Sequence, residues 1–196
     1  SGAFTGEAVF FHTGFENLIV IDNIGGAGNG LTENVGSVDS VGVELSFTFD
    51  PATAANWEFS APLALAFTYT DAVLTGDANS TDPESIFSGG KDGNRVPYIP
   101  QIQLSLSAGI EYKKWRAYIS AFYSGESYSS AANIPNAQNP DNGAPDARFG
   151  SIDAHWTADV TGYYDVKDNF SVFAAVTNVF DNIYVASRHP HGLRPG

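Results

Sequence analysis

Between Val41 and Phe49 every second residue is apolar. Val41, Val43, Leu45, Phe47 and Phe49 share one parity, and Gly42, Glu44, Ser46 and Thr48 the other. Strict alternation specifies a β-strand with one apolar and one polar face, because successive side chains point to opposite sides of a sheet. The pattern recurs. Residues 57–70 set Trp57, Phe59, Ala61, Leu63, Leu65, Phe67 and Tyr69 against Glu58, Ser60, Thr68 and Thr70, with Pro62 a local weakness on the polar face. Residues 98–113 set Ile102, Leu104, Leu106, Ile110 and Tyr112 against Gln103, Ser105, Ser107 and Glu111. Residues 115–128 place Trp115, Ala117, Ile119, Ala121 and Tyr123 on one face. Residues 149–164 oppose Ile152, Ala154, Trp156, Ala158, Val160 and Tyr164 to Asp153, His155, Thr157, Asp159 and Thr161. The closing strand, 169–176, carries Phe170, Val172, Ala174 and Val176 on one side. Residues 3–21 are also rich in strand formers, but their phase stays open because Phe10 and Phe11 are adjacent. The expectation is an all-β antiparallel meander of about seven strands.

The connections are sorted. Residues 22–30, 71–97 and 129–148 are long and rich in Gly, Asn or Pro; residues 50–56, 113–114 and 165–168 are short. Long and short alternate, so one rim of the meander carries tight turns and the other carries extended loops. Transmembrane barrels are built this way, with short periplasmic turns and long extracellular loops. Strands of a dozen or more residues exceed the usual soluble length of about 5–6 and match the roughly 9–11 that cross a bilayer with an extension above it. Aromatics recur at strand ends (Trp57, Tyr69, Tyr98, Tyr112, Trp115, Tyr123, Tyr164), as interfacial girdles require.

Composition fits this frame. Charged residues are only 16% of the chain, aromatics are 13%, and mean hydropathy is −0.12. No apolar run approaches a membrane helix, whereas a membrane barrel averages its apolar and polar faces to such a value. The net charge of −13 with only 9 Lys and Arg argues against nucleic acid as a partner; it suits solubility or cell-surface loops. The absence of cysteine excludes disulfides and thiolate metal sites. The start Ser1-Gly2-Ala3 shows no leader, and an odd strand number leaves open edges that lipid does not tolerate. Both suggest further strands on either side in a longer chain.

Short signatures carry a family resemblance across most of the chain. Residues 34–45 (NVGSVDSVGVEL) place a small-residue turn before Gly-Val-Glu-Leu. Val96-Pro97-Tyr98-Ile99-Pro100 leads into the next strand. Asn178-Val179-Phe180-Asp181 has Val where Leu is commoner, and residues 184–196 (YVASRHPHGLRPG) follow it. In this order the signatures resemble the C-terminal part of the barrel of TonB-dependent outer-membrane receptors, the last of them the ferric citrate group. The resemblance implies a 22-stranded barrel in a Gram-negative outer membrane around a plug domain. It also implies import of a ferric chelate, of siderophore or ferric citrate type, energised by the TonB complex. Residues 1–196 would supply wall and ligand-facing loops, with the plug, the TonB-contacting segment and the final strand outside them. The resemblance implies no enzymatic activity and no cofactor.

One cluster invites a ligand. Arg188, His189, His191 and Arg194 concentrate positive charge in one outer loop of an acidic chain, and guanidinium groups suit anionic carboxylates. The two histidines make an incomplete metal site. Asp77, Asn79, Thr81 and Asp82 look faintly like a calcium loop, but Gly is missing at the sixth position and Ser88 stands where Glu is needed. Gly89-Gly90-Lys91-Asp92-Gly93 lacks phosphate-loop spacing. Glu44, Glu111, Arg116, His155 and Asp159 fall on polar faces, where lumen hydration is their simplest role. No residue pattern points to catalysis. Two rivals stay open: a self-contained porin-like barrel, and a secreted β-sandwich adhesin or lectin.

Overall fold

The computed structural model describes residues 3–21, 32–78, 80, 85–189 and 191–196. Its strands are β1 (Phe4–Ile21), β2 (Thr32–Phe49), β3 (Leu63–Leu74), β4 (Ile102–Tyr112), β5 (Trp115–Ser124), β6 (Ser127–Tyr128), β7 (Ser151–Ile152), β8 (His155–Lys167), β9 (Phe170–Val176), β10 (Val185–Ser187) and β11 (Arg194–Pro195). A seven-stranded antiparallel sheet runs β1-β2-β3-β4-β5-β8-β9, open at both edges. β6 pairs with β7, and β10 with β11, as two small ribbons. The one helix among the described residues, α1 (Pro51–Ala55), is five residues long, and no described helix is long and apolar enough to cross a membrane.

The register turns the alternation into continuous surfaces. Phe49 pairs with Leu63, Leu63 with Ala108, Ala108 with Ile119, Ile119 with Val160, and Val160 with Val176. One unbroken apolar row thus crosses six strands. Tyr112, Trp115 and Tyr164 form an aromatic row toward the tight-turn rim, where the Trp115 and Tyr164 rings lie 4.4 Å apart. Tyr123 and Trp156 form another toward the long-loop rim. Trp115 and Tyr123 are eight residues apart on one strand, about 26 Å at the rise of a strand, close to the height of an outer-membrane apolar band.

Pairing also settles β1. Phe10 lies opposite Val43 and joins the apolar face, whereas Phe11 lies opposite Gly42 on the polar face. A β-carbon on Gly42 would stand 2.4 Å from Phe11 Cζ and 2.3 Å from the Tyr69 carbonyl oxygen. Glycine therefore makes the space that the Phe11 ring fills. Tyr118 lies over its pair-mate Gly109 in the same way, 2.5 Å from where a β-carbon would be.

The strand expected over 57–70 is displaced. β3 begins at Leu63 and continues to Leu74, four residues into the expected loop. The cause is Asp50. Its carboxylate caps α1 by accepting from the Ala52 and Thr53 backbone N–H groups, and reaches past the helix to the Ala61 N–H at 3.0 Å and the Ser60 hydroxyl at 2.8 Å. Pro51 suits the first turn, and Asn56 closes the helix in the left-handed region at φ 55. Trp57 is left outside the sheet, stacked on Phe59 at 5.0 Å. The expected strand over 149–164 is likewise shorter at its start: Ile152 is buried in a ribbon and β8 begins at His155.

The main apolar core lies where the long-loop ends of β2 and β3 meet the loops. Val35, Val38, Leu74, Phe87 and Ala131 pack together, with Leu18, Ala78, Ile86 and Val96 around them. The strand faces between the aromatic rows remain largely exposed, Ile119 and Val160 included.

Candidate ligand-facing loop site

The closing segment leaves β9 through a corner built on Asn178. Asn178 has φ 48 and Asp181 φ 50, both in the left-handed region that Asn and Asp enter more readily than most other non-glycine residues. The Asn178 N–H donates to Asp159 Oδ1 at 2.8 Å, its Oδ1 accepts the Asn182 N–H at 3.0 Å, and its Nδ2 donates to the Asn182 carbonyl at 3.0 Å. Phe180 leans on Trp156 at 5.2 Å, extending the upper aromatic row. The Asn-Val-Phe-Asp signature is thus a turn that locks to β8 and returns the chain over it.

Beyond the corner the segment folds over the polar face. Tyr184 stacks flat on His155, with ring centroids 4.0 Å apart and planes 9° from parallel. The four basic residues then divide. Arg188 is spent on backbone: Nε donates to the Ser151 carbonyl at 2.8 Å and Nη1 to the Ala147 carbonyl at 3.3 Å. His189 is buried at 7% exposure, edge-on to Phe149 at 4.9 Å. Its backbone N–H donates to the Tyr98 hydroxyl at 2.9 Å. Burial, and then the Arg148 guanidinium, hold the His189 imidazole below its ordinary pKa, against a smaller opposing pull from Asp146. His191 and Arg194 are exposed. Arg188 and His189 therefore face into the packing between loops, while His191 and Arg194 face out.

Other groups fix this surface, and sequence reasoning names only Tyr98 among them, as a strand-end aromatic within Val96-Pro97-Tyr98-Ile99-Pro100. Tyr98, with φ 61, donates its N–H to the Tyr128 carbonyl at 2.8 Å and receives the closing segment on its hydroxyl. Asn133 clips two loops together: its Oδ1 accepts the Arg95 N–H at 2.7 Å, and its Nδ2 donates to the Arg95 carbonyl at 3.0 Å. Asn94 Nδ2 donates to the Ala131 carbonyl at 2.7 Å. The sequence signal for Asn94 and Asn133 was only the Asn- and Pro-rich composition of the loops. Asp77 is engaged by Lys91 Nζ at 2.9 Å, and Asn79, Thr81 and Asp82 lie outside the described residues. Among the described residues no group of three or more His, Cys, Asp or Glu could hold a metal ion.

Toward the opposite rim the polar face carries a linked network. Tyr118 donates to Glu111. Arg116 pairs with Asp165 at 2.8 Å and lies over the Tyr163 ring at 5.2 Å.

Residues 1–179 match the family described as TonB dependent receptor-like, beta-barrel. The chain belongs to this family. TonB-dependent receptor barrels are outer-membrane structures, so the apolar face of the sheet is the lipid face, the polar face lines the lumen and the long loops are extracellular. The family consists of receptors and transporters rather than enzymes. The ferric citrate transporter FecA, in its unliganded form, superposes with a TM-score of 0.70 at 18% identity, covering 100% of this chain and 27% of that one. The siderophore receptor PiuA of Acinetobacter baumannii gives 0.66 at 20% identity, over 98% of this chain and 24% of that one. The ferric yersiniabactin uptake receptor FyuA of Yersinia pestis gives 0.66 at 15% identity, over 100% and 25%. In sequence, the vitamin B12 transporter BtuB of Photobacterium profundum is 34% identical over 74 residues, 38% of this chain and 10% of that protein. This receptor chain thus spans about a quarter of the solved receptors and a tenth of the curated relative, and its open sheet is an arc of a barrel wall.

Proposed function

We propose that the chain forms wall and outer loops of a multi-pass outer-membrane receptor that imports a ferric chelate of siderophore or ferric citrate type in a Gram-negative cell. The plug domain and the final strand lie in the rest of that protein, and the TonB complex acts through the plug. Within the loops, Arg194 presents positive charge to the anionic chelate beside the exposed imidazole of His191, and Arg188 and His189 hold the segment in place. The observation that carries this reading is the exposed Arg194, set on the β10–β11 ribbon of the closing loop, in a chain of net charge −13. Basic groups so placed gather an anion that the remaining surface repels. The names of the structural neighbours, which include a ferric citrate transporter and two receptors for siderophores, support the same ligand class. The test is uptake of radiolabelled iron by a strain relying on the full-length receptor, with ferric citrate and a ferric siderophore supplied separately. Arg194→Ala together with His191→Ala should weaken chelate binding by about tenfold, the loss of one charge-assisted contact. Unchanged affinity removes the loop from the ligand site.

A second reading, import of a cobalamin, rests on the match to the vitamin B12 transporter. Competition by cobalamin for the same full-length receptor decides between the two.

A further inference from the structure

The geometry points to a latch: the closing extracellular segment is fastened through the neutral imidazole of His189, and acid releases it. Three contacts make the fastening. The Tyr98 hydroxyl accepts the His189 N–H at 2.9 Å and the Arg188 N–H at 3.4 Å. The Arg188 guanidinium reaches two carbonyls of the neighbouring loop, Ser151 and Ala147. The His189 ring fills the slot beside Phe149, which is 0% exposed.

The third contact carries the switch. His189 Nε2 is buried and has no hydrogen-bond partner among the described residues. In the imidazolium both ring nitrogens carry a proton, so from either neutral tautomer a second proton leaves a buried cation whose Nε2–H has no acceptor, which is costly. The charged groups facing the slot do not relieve this. Arg148, whose guanidinium sits 5.8 Å from the Phe149 centroid, repels the imidazolium. Asp146 attracts it, but its carboxylate is held by Arg148, Nη2 to Oδ2 at 2.7 Å. Arg188, on the segment itself, is a cation directed to the Ser151 and Ala147 carbonyls and offers the imidazolium no acceptor. The released segment exposes His189 to water, where it protonates at the ordinary value of about 6.5.

The sign follows. The imidazole is harder to protonate in the latched state, so fastening is complete above about pH 6.5 and weakens as pH falls below it, levelling off below the lowered latched value. One proton per release limits the slope to about tenfold per pH unit.

Amide exchange of residues 185–194 in the full-length receptor in nanodiscs, expressed as protection factors across this range, tests the latch without any ligand. Its failure therefore leaves the import reading standing. In the wild type, protection should be flat above about pH 6.5 and fall by up to about tenfold per unit below it. His189→Phe keeps the ring in its slot without a titratable nitrogen and should flatten the response. His189→Gln, uncharged at every pH, provides the same test should the Phe variant fail to fold. If wild-type protection falls with pH no more steeply than that of either variant, the latch is not acid-released.

Discussion

Tyr98 and His189 are 91 positions apart in sequence, yet the phenol oxygen of the first accepts the backbone N–H of the second at 2.9 Å. The same oxygen takes the Arg188 N–H at 3.4 Å. A single hydroxyl therefore ties the closing segment to the loop that precedes β4. Tyr98→Phe removes that acceptor and leaves the ring. Loss of one such bond costs about 1 kcal/mol, so exchange of the 185–194 amides should rise about fivefold at every pH while the strand amides keep their protection.

The loop core predicts a local loss of order. Leu74 is 1% exposed among Val35, Phe87 and Ala131. Leu74→Ala should cost roughly 2–5 kcal/mol in that body. Limited proteolysis of the full-length receptor should then cut within residues 75–101 and 125–154, while the barrel keeps its heat-modifiable migration on gels.

Two glycines are expected to differ in tolerance. A β-carbon on Gly42 meets both the Phe11 ring and the Tyr69 backbone carbonyl, whereas at Gly109 the nearest atoms belong to the Tyr118 ring. A ring can swing aside; a carbonyl in a ladder cannot. Gly42→Ala should cost about 1–3 kcal/mol as overpacking, and Gly109→Ala less. Thermal unfolding of the two variants in detergent ranks them.

Asp50 predicts a pH profile for the turn between β2 and β3. The Ala61 N–H first, then the Ser60 and Thr53 contacts, hold its pKa down at about 2 against the desolvation that raises it. The folded turn is thus favoured by the carboxylate above the ordinary value of about 3.9, and that support is lost as pH falls toward 2. Amide protection at Ala52 and Ala61 should hold steady from neutral pH to about pH 4 and decline below it. Asp50→Ala should lower it throughout.

Much of this architecture could be read from period-two alternation, because the strands meet lipid on one side and a polar lumen on the other and each residue declares its side. Six of the seven main strands follow from that alternation, while the strand over 3–21 rests on its strand-forming residues and the long connections on their Gly, Asn and Pro content. Residues 57–62 defeat the reading because their alternation competes with a cap. Asp50 collects N–H and hydroxyl donors from both sides of α1, which no local pattern reveals. Phe10 and Phe11 could not be phased until Gly42 was seen opposite Phe11. In the closing loop the charge was visible but its allocation was not. Arg188 and His189 are drawn inward by Ser151, Ala147, Phe149 and Tyr98, partners 37 or more positions distant for Arg188 and 91 for the Tyr98 bond to His189.

Val38 and Leu74 face one another in the register of β2 and β3 and are also two of the five residues at the centre of the loop core. A slip of one residue in either strand would turn its member outward, because side chains alternate sides. The lipid face alone penalises such a slip only through solvation. The loops add a mechanical proofreading step: they can close into a packed body only over a correctly aligned hairpin, so a misregistered barrel would emerge with its outer surface unzipped and open to surface proteases.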